Sequence, residues 1–499
     1  MRKKSKLFLL NGTILTLTSL FIKFSTLFFN VYISNKIDQE TLGLFNLIMS
    51  IYLFFITVST SGLNVGVTVI VSEKLALKNI KQAIQAIRTS IFLSLLFGLL
   101  SGLLILVLSK YLIKLFLYNK VSIYPLYLIA VGLPFIAMSS CINSYFSAIR
   151  KAYKAAIVQA LEFIVKTIAT IILLNYNITK GVDYICSSLI LADVISEVFS
   201  FSIIYILFLI DIKSKKICKI KKIGQISNIL YISFPIAITS CIRSGLSTLK
   251  QLIIPKQLEK FGYSTNVALS KYGIINGMVI PVIYFPAVFI NSYSSLLIPE
   301  FSTYLAQKNF KAINYISNKI FKLTCAFSIC ISSIFIIFAS DLAITLYNTT
   351  DIKIYFMIFA PLIFFIYIDT VIDSILKGLN KQLGVMICNI LDLSFSVCFI
   401  YFVLPIGGFK AYIISIFLSE ILNFSISLYQ LIKYTKIFPN FIDWILVPMI
   451  CCFISYILIH IFNFKLINMK LCLTMNILLF IIFYATSFLI LNIIKRDDS

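Results

Sequence analysis

Four basic residues of this chain sit where water should not reach. Of its 43 lysines and arginines, only Lys23, Lys166, Arg243 and Lys250 fall inside long apolar runs. A cation in a bilayer is costly unless it faces a partner or a polar interior. Lys23 and Lys250 stand 227 residues apart, and Arg243 precedes Lys250 by seven residues, two helical turns along one face. A guanidinium beside ammonium groups suits an anion with several oxygens, a diphosphate above all. The plainer reading is snorkelling to an interface, which is open to Lys250 near the end of its run and harder for Lys23 and Arg243. Lys166 follows Glu162 by four residues, the spacing of a structural ion pair that neutralises both.

Six more carboxylates lie in apolar runs: Asp193, Glu197, Asp369, Asp373, Asp392 and Glu420. Asp193 with Glu197, and Asp369 with Asp373, are like-charge pairs one turn apart. Two carboxylates so placed in a low dielectric do not both ionise cheaply. A proton or a sodium ion would relieve either pair, which makes the six candidates for Na+ or H+ coupling. Hydrogen bonds to basic residues of other segments are the alternative. No metal centre or cofactor is expected. The chain has one histidine (His460) and 11 cysteines, most within apolar runs and none in a C-x-x-C pair, so the cysteines read as small buried hydrophobes.

The elements that hold these charges must cross a membrane. Sixty per cent of the 499 residues are hydrophobic and 12% are charged, with a mean hydropathy of +1.00. A soluble domain carries about 25% charged residues, so lipid is the solvent and the fold class is all-α and polytopic. About fourteen apolar segments can be marked, from 7–33 to 471–494. The first follows MRKKSK but is too long for a signal-peptide core and lacks a small-residue cleavage pattern. The net charge of +24 is a topology signal and not a nucleic-acid footprint. With the N-terminus in the cytoplasm, 27 basic residues fall on cytoplasmic ends and 12 outside. The densest group is Lys213, Lys215, Lys216, Lys219, Lys221 and Lys222. Both termini are therefore expected in the cytoplasm. Trp444 is expected at an interface, and the loops are too short to hold a soluble catalytic domain.

The chain also repeats itself. IVSEKLALKNIKQAI with Glu73 is echoed by LIPEFSTYLAQKNFKAI with Glu300, 227 residues on. SAIRKAYK with Arg150 is echoed by SILKGLNK with Lys377 at the same offset, which also relates Asp193 to Glu420. A duplication of six spans gives two parallel lobes around a central cavity. The expected organisation is a lobe over 1–211, a basic linker over 212–226, a second lobe over 227–436 and two accessory helices over 437–499.

The residues 234–309, beginning FPIAITSCIRSGLSTLKQLIIPKQ, resemble the seventh and eighth spans of the stage V sporulation protein B group. That group belongs to the multidrug/oligosaccharidyl-lipid/polysaccharide flippase superfamily. TSGLNVGVTVIVSEK (60–74) is similar to its span-two motif, with Asn64 where a proline is usual and Val69 where a lysine is common. QALEFIVK (159–166) and ILKGLNKQ (375–382) match its fifth-span segment and the loop after its tenth span.

The resemblance implies a flippase, not an enzyme. Its substrate would be an undecaprenyl-diphosphate-linked sugar, lipid II or a related cell-wall or spore-cortex precursor foremost. The protein would work as a monomer by alternating access in the cytoplasmic membrane, with no nucleic-acid partner. Lys23 and Arg243 match in kind the basic cavity residues of lipid II flippases. Alternatives are a cation-coupled multidrug exporter of the same superfamily, an exopolysaccharide repeat-unit flippase and, last, a membrane glycan polymerase.

Overall fold

A computed structural model describes residues 2–214, 226–435, 442–461 and 469–497. Most of the basic cluster, Lys215 to Lys222, lies outside the described residues. Helices α1 (Arg2–Lys36), α2 (Gln39–Thr60), α3 (Leu63–Ala76), α4 (Ile80–Phe116), α5 (Tyr124–Ala148), α6 (Ala152–Asn177) and α7 (Val182–Ser214) are followed by α8 (Ile226–Lys260). Then come α9 (Thr265–Gly273), α10 (Ile280–Tyr284), α11 (Ala287–Ala306), α12 (Phe310–Ile337), α13 (Ala339–Tyr347), α14 (Lys353–Phe359) and α15 (Leu362–Gly378). The last are α16 (Gln382–Thr435), α17 (Val447–Ile461) and α18 (Met469–Asp497). Among the described residues there is no strand.

Twelve spans among the described residues are long and apolar enough to cross a membrane, and α14 with α15, bent by 44° at Pro361, makes a thirteenth. The 54 residues of α16 are too many for one crossing, which takes about 20. Gly408 divides them: its φ of 55° and ψ of −140° lie outside the helical region, so α16 is two helices folded back on each other. Counted so, the crossings match the fourteen apolar segments marked in the sequence.

Packing groups the helices into two compact units. One holds Met1–Phe29 and Ile37–Gly273, the other Asn30–Lys36 and Ile274–Ser499. The division thus falls at Gly273, inside the eighth span, and not in the linker at 212–226. The reason is local, since α8 and α9 lie against α2 and α3. In the first unit the buried face of α4 is lined by Ser90, Ser94, Ser101 and Ser109. Ser94, Ser101 and Ser109 return their hydroxyl protons to carbonyls three or four residues back, at 2.7–3.0 Å. Small polar residues of this kind let membrane helices approach closely without orphaning a hydrogen bond. In the second unit Trp444 is buried and stacks on Phe321, ring centroids 5.1 Å apart.

The echo in the sequence has a counterpart in the turns. After α3, Lys78 takes a left-handed φ of 58°, and after α11, Lys308 takes one of 54°. In each turn the following asparagine caps the next helix: Asn79 accepts from Gln82 N at 3.2 Å and Asn309 from Ala312 N at 3.0 Å. Arg150 (58°) and Asn380 (60°) form a second matched pair, 230 residues apart like the first.

Candidate functional site

Two carboxylate clusters and three cations hold the membrane-embedded charge. In the first unit, Glu162 and Lys166 project from α6 toward Asp193 and Glu197 of α7. Lys166 Nζ lies 2.6 Å from Asp193 Oδ1. The pair expected within α6 is thus replaced by one between helices. Asp193 is only 5% exposed, so its carboxylate gains more from a counter-charge than the half-buried Glu162 does. Glu162 is hydrogen-bonded to Ser200 and also feels the charges of Lys166 and Asp193. The Lys166 ammonium stands 5.6 Å above the Phe29 ring. Tyr52 of α2, 3% exposed, brings a hydroxyl with no hydrogen-bond partner among the described residues into the field of Glu197, Asp193 and Glu162.

The second unit repeats the theme. Asp369 and Asp373 lie on α15, and Asp392 and Glu420 on the two arms of α16. Asn423 Nδ2 donates to Asp369 Oδ2 at 2.8 Å, Ser419 Oγ to Asp392 Oδ1 at 2.7 Å, and Ser396 Oγ to Ser419 Oγ at 2.8 Å. Lys377 Nζ is 3.4 Å from Asp373 Oδ2. The Tyr284 side chain faces the charges of Glu420, Asp369 and Asp392. In each cluster carboxylates outnumber lysines, and the arrangement can take up a proton or a cation. No set of three or more acidic, His or Cys side chains among the described residues is drawn together as metal ligands.

Lys23 on α1 and Arg243 on α8 are exposed, and neither forms an ion pair among the described residues. Lys250, two turns beyond Arg243, is half-buried. A cavity of about 350 Å³ beside Pro361 is lined by Ile329, Ser333, Phe364, Met449 and Cys452 among others and carries no charge, so it offers nothing to a diphosphate.

The spacing argument missed Tyr52, Ser200, Tyr284, Ser396, Ser419 and Asn423. Asn423 had a signal, one turn after Glu420 on the same face, and so had Ser396, one turn after Asp392. Tyr52 and Tyr284 had none, because each meets its carboxylates only across helices.

The MatE family model matches residues 15–177. Stage V sporulation protein B of Bacillus subtilis (strain 168) is 23% identical over 360 residues, 70% of this chain and 68% of that protein. The structure of the lipid II flippase MurJ in an inward closed conformation superposes with a TM-score of 0.74 at 16% identity, covering 97% of this chain and 99% of that one. An inward-facing multidrug resistance MATE family transporter of the MOP superfamily gives 0.61 at 14% identity, over 84% and 99%. A MOP superfamily transporter from Pyrococcus furiosus gives 0.58 at 14%, over 85% and 96%. These solved relatives are transporters and a flippase, not enzymes. The chain is a multi-pass membrane protein with the fold of the MATE transporters and of the lipid II flippase, and a relative in sequence of stage V sporulation protein B.

Proposed function

We propose that the chain is a flippase for a prenyl-diphosphate-linked sugar, lipid II or a related cell-wall or spore-cortex precursor. The observation that carries this reading is the state of Lys23 and Arg243. Both are exposed within membrane-spanning helices and neither has an ion-pair partner among the described residues. A charge facing acyl chains is costly, so both belong to a polar space. A diphosphate would give the guanidinium a bidentate partner there, with Lys250 as a second ammonium. The superposition on the lipid II flippase includes 97% of the chain, against 84% for the MATE transporter, which favours the flippase within the superfamily.

The substrate would enter from the cytoplasmic leaflet, where both termini lie on this reading. Its headgroup would meet Lys23, Arg243 and Lys250, and its tail would stay in lipid. The excess carboxylates of each cluster would take up H+ or Na+ as the carrier resets. The membrane potential would assist a positively charged empty carrier by about 2.3 kcal/mol per charge per 100 mV.

The test is translocation of lipid II in proteoliposomes, read by headgroup accessibility at the outer surface. A charged hydrogen bond is worth about 1.5–3 kcal/mol. Lys23→Ala and Arg243→Ala should therefore each slow translocation about 10-fold to 100-fold at normal expression. Full activity in both variants would remove the cationic site. The second reading, a cation-coupled drug exporter, draws on Asp369 and Asp373. It predicts drug resistance that is lost in the Asp369→Asn/Asp373→Asn chain.

A further inference from the structure

We infer that Lys166 is a built-in cation: its ammonium fills the seat that a diffusible cation would need, so the first cluster takes up protons and refuses sodium. The inference deepens the ion uptake proposed above and rests on it, but its test is binding and not transport. It follows from the repeat. The turn at Arg150 matches that at Asn380, and their offset of 230 carries Glu162 of α6 to Asp392 and Lys166 to Ser396, both on the first arm of α16. The next turns, at Gly181 with a φ of 105° and Gly408 with one of 55°, match at 227. That offset relates Asp193 to Glu420 and Ser200 to Ser427. Ser200 bonds to Glu162, and Ser427 to Asp369. At these positions a carboxylate answers a carboxylate and a serine a serine. Lys166 breaks the pattern. Where the second unit presents the Ser396 hydroxyl, which donates to Ser419 Oγ at 2.8 Å, the first presents an ammonium.

Geometry makes that ammonium the occupant of the cluster. Its Nζ lies 2.6 Å from Asp193 Oδ1 and 5.6 Å from the centre of the Phe29 ring, held by a carboxylate and by an aromatic face. Its charge also acts on Glu162 and Glu197. A sodium ion drawn to the same carboxylates would meet this ammonium in a low dielectric, where like charges repel strongly. A proton adds to one carboxylate oxygen and needs no shell of ligands. Three carboxylates stand against one lysine, and the excess negative charge is costly in lipid unless a proton joins it. Glu197 is the acceptor. Asp193 has its ammonium and Glu162 its serine, whereas Glu197 lies in the field of both other acids as well as of Lys166. Tyr52 completes the site from α2, with a buried hydroxyl that has no hydrogen-bond partner among the described residues and lies in the field of all three acids. A hydroxyl donates to a carboxylate and accepts from a carboxylic acid, so it can serve the cluster in both states. Helix α5 has no charged residue; its Gly132 lies beside the Tyr52 hydroxyl, where a Cβ would stand 3.7 Å from it.

The experiment uses the purified full chain in detergent, carrying Asp369→Asn, Asp373→Asn and Asp392→Asn so that the second cluster does not answer for the first. Sodium chloride replaces choline chloride at constant ionic strength, and Tm and retained radioactive sodium are read. With Lys166 in place, neither should respond. Lys166→Ser, which copies Ser396, should open the seat: sodium should bind and raise Tm, and a further Asp193→Asn should abolish both effects. Lys166→Gln serves if the serine chain fails to fold. With Lys166 in place, an infrared band of a protonated carboxyl that Glu197→Gln removes should be present and unmoved by sodium. Sodium retained by the Lys166 chain and lost on Asp193→Asn would overturn the inference. So would a folded Lys166→Ser chain indifferent to sodium, or the absence of a sodium-insensitive Glu197 band. Transport that ignores both ion gradients would count against the coupling reading alone and leave these binding results as they are.

Discussion

Lys166 reaches from α6 to α7, with its Nζ 2.6 Å from Asp193 Oδ1, and leaves Glu162, one turn back on its own helix, to Ser200. The pair is therefore a clamp between helices. Removing the lysine strands a carboxylate whose side chain is only 6% exposed. Breaking a buried pair costs about 3–5 kcal/mol; the 28% exposure of the lysine side chain puts Lys166→Ala near the bottom of that range. Thermal unfolding in detergent should show a clear drop in Tm for Lys166→Ala, with much of it recovered in Lys166→Ala/Asp193→Asn. An unchanged Tm in the single variant would mean that the clamp does not stabilise the fold.

That pairing also marks what the sequence could convey. Spacing along one helix made Glu162 and Lys166 neighbours, correctly, but could not see Asp193 competing for the same ammonium from α7. Hydropathy located the spans, because each must satisfy its own backbone hydrogen bonds in lipid as a long apolar helix. The repeat was legible at Lys78–Asn79 and Lys308–Asn309 because a left-handed turn followed by an asparagine cap is local chemistry. The break at Gly62 was marked only by the Ser61–Gly62 dipeptide inside a longer apolar run, and the carbonyl of Ser233 shows why glycine is needed there. Packing also drew α8 and α9 into one unit with α2, an association between distant segments to which no spacing rule applies.

The proposed ion coupling places a demand on the second cluster. Asp369 accepts a hydrogen bond from Asn423 and Asp392 accepts one from Ser419, both neutral side chains. Asp369→Asn and Asp392→Asn keep the shape and remove the charge. Translocation in proteoliposomes should lose its response to a sodium or pH gradient in at least one of them while a basal rate remains. If both variants keep the wild-type ion response, coupling resides elsewhere.

The matched turns should also be matched in energy. Asn79→Ala and Asn309→Ala each remove one cap hydrogen bond at an equivalent turn, a loss of about 1 kcal/mol. Unfolding in detergent should show two similar small decreases in Tm. A large effect at one site and none at the other would show that the two turns are not equivalent in use.

Gly408 is a sharper case. Its φ of 55° with ψ of −140° is open to glycine and strained for any other residue. Gly408→Ala should cost about 1–3 kcal/mol, read as a lower Tm and reduced yield of folded protein. A fully stable alanine variant would show that the fold-back has another way to turn.

The same fold-back bears on the carboxylates it carries. Its two arms are joined by one non-helical residue and cross-braced where Ser396 donates to Ser419 and Ser419 to Asp392. Such a hairpin moves as one body, its two arms held at a fixed separation. Asp392 and Glu420 would then travel as a preset jaw, gripping or releasing an ion as other helices move past it while its own spacing stays constant.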